Sequence, residues 1–201
     1  MKSPAALLII DVQNDFCPGG ALPVTDGDRV VAPLNRAAEL FAAAGLPVLA
    51  SRDWHPEKTG HFKIYGGVWP PHCVQGSKGA EFHPALRLPP GYLVISKGFE
   101  PDGDSYSAFD GQLADGLTLL QLLESLGVTQ LYAGGLATDY CVKETVLAAL
   151  RYGFTVAVLE DAIAGVDVNP GDSLQALTEM LTGGASLCKV RDLTERLQQI
   201  A

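Results

Sequence analysis

Cys141 stands where a short apolar run gives way to a helix start, in the stretch Leu131-Tyr-Ala-Gly-Gly-Leu-Ala-Thr-Asp-Tyr-Cys141. Thr138 and Asp139 supply helix-start chemistry, and Val142, Val146, Ala149 and Leu150 follow at helical spacing. A thiol in the first turn of a helix has its thiolate stabilised by outward-pointing amide N–H groups and the helix dipole, and the same groups can hold an oxyanion. The bland alternative is a buried cysteine acting as a small apolar side chain. A thiol nucleophile also needs a base. No histidine lies near Cys141 in the chain, and no Ser/His/Asp order can be read. Asp11 could take the proton if burial raises its pKa, and Lys97 could tune the pair and stabilise negative charge. A turn-capping carboxylate and a solvated lysine are the ordinary readings of these two residues. Both readings weaken for charged groups that end apolar strands.

The elements that must position them follow from periodicity. Ala5–Ile10 is a continuous apolar run, read as a strand buried on both faces, with a Gly/Pro-rich turn after Asp11. Further strands are expected at 47–50, 92–95, 131–133, 154–159 and 185–190, with Gly134 and Gly135 ending the fourth. Helix faces are marked by Val30, Leu34, Ala37, Ala38 and Phe41, then by Leu119, Leu122, Leu123 and Leu126 with Gly127 as the stop. The Cys141 helix comes next, then a face of Leu174, Leu177, Thr178 and Leu181, and a last short helix in 192–200. Strands alternating with helices predict one α/β domain over residues 1–201, a mostly parallel six-stranded sheet with helices on both faces in three Rossmann-like layers. Ligands of such sheets bind off the carboxyl ends of the strands. Asp11, Asp53, Lys97 and Cys141 all fall there.

The formal net charge of −9 over 201 residues argues against nucleic acid and anionic membranes as partners. No apolar run approaches bilayer length, and Ala5–Ile10 is too short for a signal peptide. Four cysteines without C-x-x-C spacing predict free thiols and a cytoplasmic setting. Residues 53–90 hold all four histidines and both tryptophans with little periodicity, and a long irregular stretch of this kind is usually functional.

The motifs Asp11-Val-Gln-Asn-Asp-Phe-Cys-Pro-Gly-Gly, Asp53-Trp-His-Pro with His61, Trp69-Pro-Pro-His72-Cys-Val-Gln-Gly, Lys97-Gly, Asp104-Ser-Tyr-Ser-Ala-Phe109 and Gly135-Leu-Ala-Thr-Asp-Tyr-Cys141 span nearly the whole chain. In type and order they resemble the nicotinamidase/pyrazinamidase branch of the isochorismatase-like cysteine hydrolases. The resemblance implies hydrolysis of nicotinamide to nicotinate and ammonia, and of pyrazinamide likewise, through a cysteine thioester in NAD salvage. It implies Asp11 as base, Lys97 as its partner and Cys141 as nucleophile. A cis bond at Leu136–Ala137 and an oxyanion hole of the Ala137 and Cys141 N–H groups belong to the same pattern. Phe16, Trp69, Tyr106 and Ala137 match positions that line the substrate pocket, although ordinary core packing also suits Phe16.

Asp53, His55, His61 and His72 supply one carboxylate and three imidazoles, a set that with two waters suits an octahedral divalent ion: zinc first, with iron or manganese as alternatives. A closed tetrahedral site is also compatible with these ligand types. The resemblance favours the open site, with the ion binding the pyridine nitrogen of the substrate. His83 matches no ligand and is read as structural. Two departures stand out: Tyr140 precedes the cysteine where some relatives carry histidine, and residues 57–60 differ from the usual pattern with the His55-to-His61 spacing kept. A relative acting on another small amide or carbamoyl compound would generally lack the Asp-x-His…His…His set. A metal-binding or interaction domain without catalysis would not need Asp11, Lys97 and Cys141 intact. A homo-oligomer is compatible with the sequence.

Overall fold

Six segments pair side by side in a computed structural model that describes residues 4–101 and 105–199. They are β1 (Ala5–Ile10), β2 (Val48–Asp53), β3 (Leu93–Lys97), β4 (Gln130–Leu136), β5 (Thr155–Ala164) and β6 (Ser186–Cys188). Every pairing is parallel, in the order β3-β2-β1-β4-β5-β6. Parallel strands bury both faces, which is why β1 is apolar at all six positions and wholly buried. The chain winds outward from β1 through β2 to β3, then returns to β4 on the other side of β1. The strand order therefore reverses between β1 and β4, the point at which open α/β sheets form their crevice. Asp11 follows the first of these strands and Cys141 the second.

Among the described residues five α-helices cover the sheet: α1 (Val31–Ala43), α2 (Leu119–Leu126), α3 (Lys143–Arg151), α4 (Asp172–Thr182) and α5 (Leu193–Gln198). Leu34 and Phe41 of α1 and Leu193 and Leu197 of α5 pack with Leu7 and Ile9 on one face. Leu119 and Leu123 of α2, Val146 of α3 and Met180 of α4 pack with Leu8 and Ile10 on the other. Successive β1 side chains feed opposite cores, each fully buried Leu or Ile contributing about 1.5–3 kcal/mol. α2 starts at a Thr118/Gln121 capping box and stops at Gly127 with φ 69°.

Several boundaries differ from the sequence reading. β4 does not end at Gly134 but runs on through Gly135 to Leu136. Gly135 has φ 131° and lies so close to the Ile10 backbone that a side chain would overlap it; the glycine shifts the register with β5 instead of ending the strand. Lys97 and Asp53 are the last residues of their strands, not residues beyond them. β5 continues to Ala164, and β6 is only three residues long. On α4 the buried face is carried by Ala176 and Met180, while Leu174 is 70% exposed and Leu181 42% exposed. Leucine spacing placed that face only in part: Leu177 packs against the same core as Met180, while Leu174 and Leu181 face solvent and Ala176 is buried in their place. No helix among the described residues is long and apolar enough to cross a membrane.

Candidate active site

At the carboxyl end of β1, Asp11 takes φ 50° and is fully buried. Its Oδ1 accepts a 2.7 Å hydrogen bond from the Ser51 hydroxyl on the neighbouring strand. Its Oδ2 lies 2.9 Å from Lys97 Nζ in a buried ion pair. Lys97 is also fully buried. Its ammonium meets Asp53 Oδ1 and Asp11 Oδ2, donates to the Ser105 carbonyl at 3.2 Å, and reaches Cys141 Sγ at 3.5 Å. Burial alone would drive the proton off Lys97, but Asp11 and Asp53 outweigh it and hold the ammonium well above the usual lysine range. Asp53 is also pushed up by burial, yet Lys97 and His55 prevail and keep it below the usual carboxylate range. Asp11 goes the other way: desolvation exceeds the pull of Lys97, and Asp53 adds repulsion, so its carboxyl is raised.

Cys141 does not lie in the first turn of an α-helix. Residues Thr138–Val142 form a π-helical turn, with the Ala137 carbonyl accepting from Val142 N at 3.1 Å, and α3 begins only at Lys143. Such turns recur at functional sites because they re-aim one side chain. The thiol is buried, and burial pushes it well above the ordinary cysteine range against the pull of Lys97. Burial thus works against the thiolate that a helix start favours, and the thiol calls for a base. Acceptor atoms of Asp11, Asp53 and Cys141 all lie within 4.8 Å of one another. The Leu136–Ala137 peptide is cis, as the motif implied.

Asp53 joins this cluster to a second one. Its Oδ2 lies 3.6 Å from His55 Nε2 and 3.9 Å from His72 Nε2. His55 Nδ1 is bonded to the Gly98 carbonyl at 2.9 Å and His72 Nδ1 to the Pro70 carbonyl at 2.8 Å. A carbonyl can only accept, so both rings carry a hydrogen on Nδ1, which in a neutral imidazole leaves the lone pair on Nε2. His61 Nδ1 lies 2.6 Å from the Thr59 hydroxyl, which also reaches the Pro101 carbonyl at 3.1 Å. The His61 ring lies 4.8 Å from that of His55. Imidazoles fixed through Nδ1 with Nε2 presented are the arrangement of metal-ligating histidines. The donor atoms of Asp53, His55 and His72 lie within 4.8 Å of one another; His61 stands beside that trio, outside the 4.8 Å grouping. The residues present therefore fit a divalent ion. His83 stands apart, its N–H donating to the Val12 carbonyl and its Nδ1 accepting from Ala85 N.

The two clusters open into one cleft whose walls include Phe16, Trp69, Tyr106, Ala137 and Tyr140, with Leu22, Val24 and Val166 on the apolar side. Phe16 is both core and wall: it is buried in the β1 core with its ring 5.5 Å from His72. Trp69 Nε1 donates to the Tyr106 hydroxyl at 2.9 Å, and Tyr140 packs edge-on to Trp69 at 5.2 Å. A flat ring suits such walls. Asp104 of the sequence motif lies outside the described residues. Sequence reasoning missed Ser51, Thr59 and Ser105, whose roles depend on contacts between strands and loops far apart in the chain. Asp139, read from the sequence as helix-start chemistry, instead accepts from Val166 N and Asp167 N at 2.9 and 2.8 Å and ties the Cys141 turn to the loop bearing Val166.

Residues 5–192 match the Isochorismatase domain family. The chain is 43% identical to the nicotinamidase of Escherichia coli (strain K12), over 96% of this chain and 98% of that one. It is 40% identical to the nicotinamidase/pyrazinamidase of Mycobacterium tuberculosis, over 90% and 97%. A crystal structure of the Pyrococcus horikoshii pyrazinamidase in complex with zinc superposes with a TM-score of 0.85 at 42% identity, covering 92% of this chain and 99% of that one.

Proposed function

The chain belongs to the isochorismatase family, and from that premise we propose that it is a nicotinamidase, hydrolysing nicotinamide to nicotinate and ammonia, in which Asp11, Lys97 and Cys141 do the chemistry. Relatives named for this activity align over nearly the full length of the chain. The observation that carries the assignment of roles is the single buried ammonium of Lys97 shared by Asp11, Asp53 and Cys141.

Asp11 Oδ2 takes the proton of the Cys141 thiol, and Sγ attacks the amide carbonyl carbon. The raised pKa of Asp11 suits this duty, because a carboxylate that binds a proton readily is a better base for a raised thiol. Lys97 stays charged throughout and holds carboxylate and sulfur together. The oxyanion rests on the N–H groups of Ala137 and Cys141, at the start of the helical turn. Asp11 returns the proton to the amide nitrogen, the C–N bond breaks and ammonia leaves a thioester on Cys141. A water gives a proton to Asp11 and attacks the thioester; the proton passes back to the departing sulfur, and nicotinate is released. Phe16, Trp69 and Tyr106 hold the ring so that the carbonyl faces Sγ, which is where most of the orientation benefit arises.

Asp53, His55 and His72, with His61 beside them, would hold one divalent ion, zinc by analogy with the Pyrococcus relative, which when bound supplies a Lewis acid for the pyridine nitrogen. Pyrazinamide, with a nitrogen at the matching ring position, is a second substrate on this reading. A cytoplasmic setting is supported by the four free thiols. The test is ammonia release from nicotinamide, pyrazinamide and a carbamoyl amide, with elemental analysis of the same preparation. Turnover of the carbamoyl compound alone would overturn the substrate assignment.

A further inference from the structure

The residue after His72 is held in an unusual way. Cys73 adopts φ 45°, a left-handed conformation that side chains with a Cβ seldom take. Its peptide is tied on both sides. The Cys73 N–H donates to Asp15 Oδ2 at 2.7 Å, and the Cys73 carbonyl accepts from His55 N at 3.0 Å. Asp15 uses its other oxygen to accept from Ala21 N at 3.0 Å, which fixes the carboxylate within its own loop. It fits because residue 79 is glycine: a Cβ there would run into the Asp15 carboxylate. Two residues earlier on the same turn, Gln13 donates to the Asp53 carbonyl and accepts from Asp53 N, each at 2.8 Å. The turn after β1 thus grips the backbone at Asp53 and at the residue following His72.

We propose that Asp15 is a positioning residue for the metal, holding the Cys73 turn so that His72 Nε2 faces Asp53 Oδ2 beside His55. The inference rests on the metal reading given above. Asp15 is not among the grouped donor atoms, so its effect passes through the main chain. Groups that orient metal ligands change affinity by about 10–100-fold when removed.

The experiment uses the full chain, stripped of metal and titrated with zinc against a chelator, with the cobalt(II) absorption spectrum as a reporter of ligand geometry and circular dichroism as the control for folding. Asp15→Ala is expected to lose zinc affinity by about 10–100-fold and to shift the cobalt bands, while Asp15→Asn, which keeps one acceptor oxygen, falls between it and wild type. Gly79→Ala reaches the same contact from the other side. Gly79 has no left-handed φ, so alanine is compatible with its backbone and displaces the Asp15 carboxylate. It is expected to weaken zinc binding in the same direction. Should Asp15→Ala fail to fold, Asp15→Asn and Gly79→Ala carry the decision. Wild-type affinity and an unchanged cobalt spectrum in the folded variants would overturn the proposal while leaving the metal site standing. A wild-type chain that takes up neither ion would overturn both.

Discussion

Asp53 and Lys97 are register partners at the ends of two adjacent parallel strands, and their side chains form a buried ion pair. One oxygen of Asp53 meets the ammonium that also touches Asp11 and Cys141, and the other faces His55 and His72. A single carboxylate therefore belongs to both clusters, and the distance between metal and nucleophile is set by strand register.

Asp11→Asn is expected to lower kcat by roughly 10²–10⁴-fold, the span of general-base contributions, with the circular dichroism spectrum unchanged. Asp11 must be ionised to act, and burial raises its carboxyl above the ordinary aspartate value of 3.8. The acid limb of kcat/KM, measured at saturating metal, should thus lie above the range of an exposed aspartate, with activity rising as pH rises through it. A limb at the ordinary value would remove Asp11 as the base.

Lys97→Met should destabilise the metal-free protein by about 3–5 kcal/mol near neutral pH, since it leaves two buried carboxylates without their cation. The sign of its pH dependence is fixed by linkage. Without Lys97, burial of Asp11 and Asp53 is offset only by Ser51 and His55, so the folded state binds more protons than the unfolded one and stability falls as pH rises. The wild type keeps the stabilisation from Lys97 below the unfolded lysine pKa and loses it only as pH rises through the raised folded value. Denaturant unfolding at about pH 5 and about pH 8 checks this: the deficit of the mutant should be larger at the higher pH. An equal deficit at both would mean that the carboxylates are not left charged.

Much of this arrangement was legible in the sequence because β1 is an unbroken apolar run, and a charged residue at its end has few structural uses. The same reasoning reached Lys97 and Asp53. It misjudged the ends of β3 and β4, since a strand that ends in a buried ion pair or continues through a glycine carries no apolar signal there. It placed Cys141 in the first turn of a helix, but helical spacing cannot show that this turn is π-helical. The α4 face was right at Leu177 and wrong at Leu174 and Leu181, where Ala176 and Met180 carry the burial instead. Ser51 and Asp15 were invisible: each acts by one hydrogen bond to a residue more than thirty positions away.

Benzamide has nearly the shape of nicotinamide and the same scissile bond but lacks the ring nitrogen. Packing against Phe16 and Trp69 would barely separate the two amides. The zinc-loaded protein is expected to turn over benzamide at least tenfold more slowly, a difference of ~1.4 kcal/mol in transition-state binding. His72→Ala should bind less metal and discriminate less between them. Equal kcat/KM values for the two amides in the metal-loaded wild type would leave the ion a role in the fold alone.

The central claim is covalent: the acyl group of the substrate passes through Cys141. Rapid acid quenching of the enzyme during turnover of nicotinamide, followed by intact-mass measurement and peptide mapping, tests it most directly. The expected result is a mass increase of one nicotinoyl group on the peptide that carries Cys141, with both the adduct and ammonia release absent in Cys141→Ala. A nicotinoyl group found instead on Cys17 or Cys73, or Cys141→Ala protein that is folded and still releases ammonia at the wild-type rate, would contradict it.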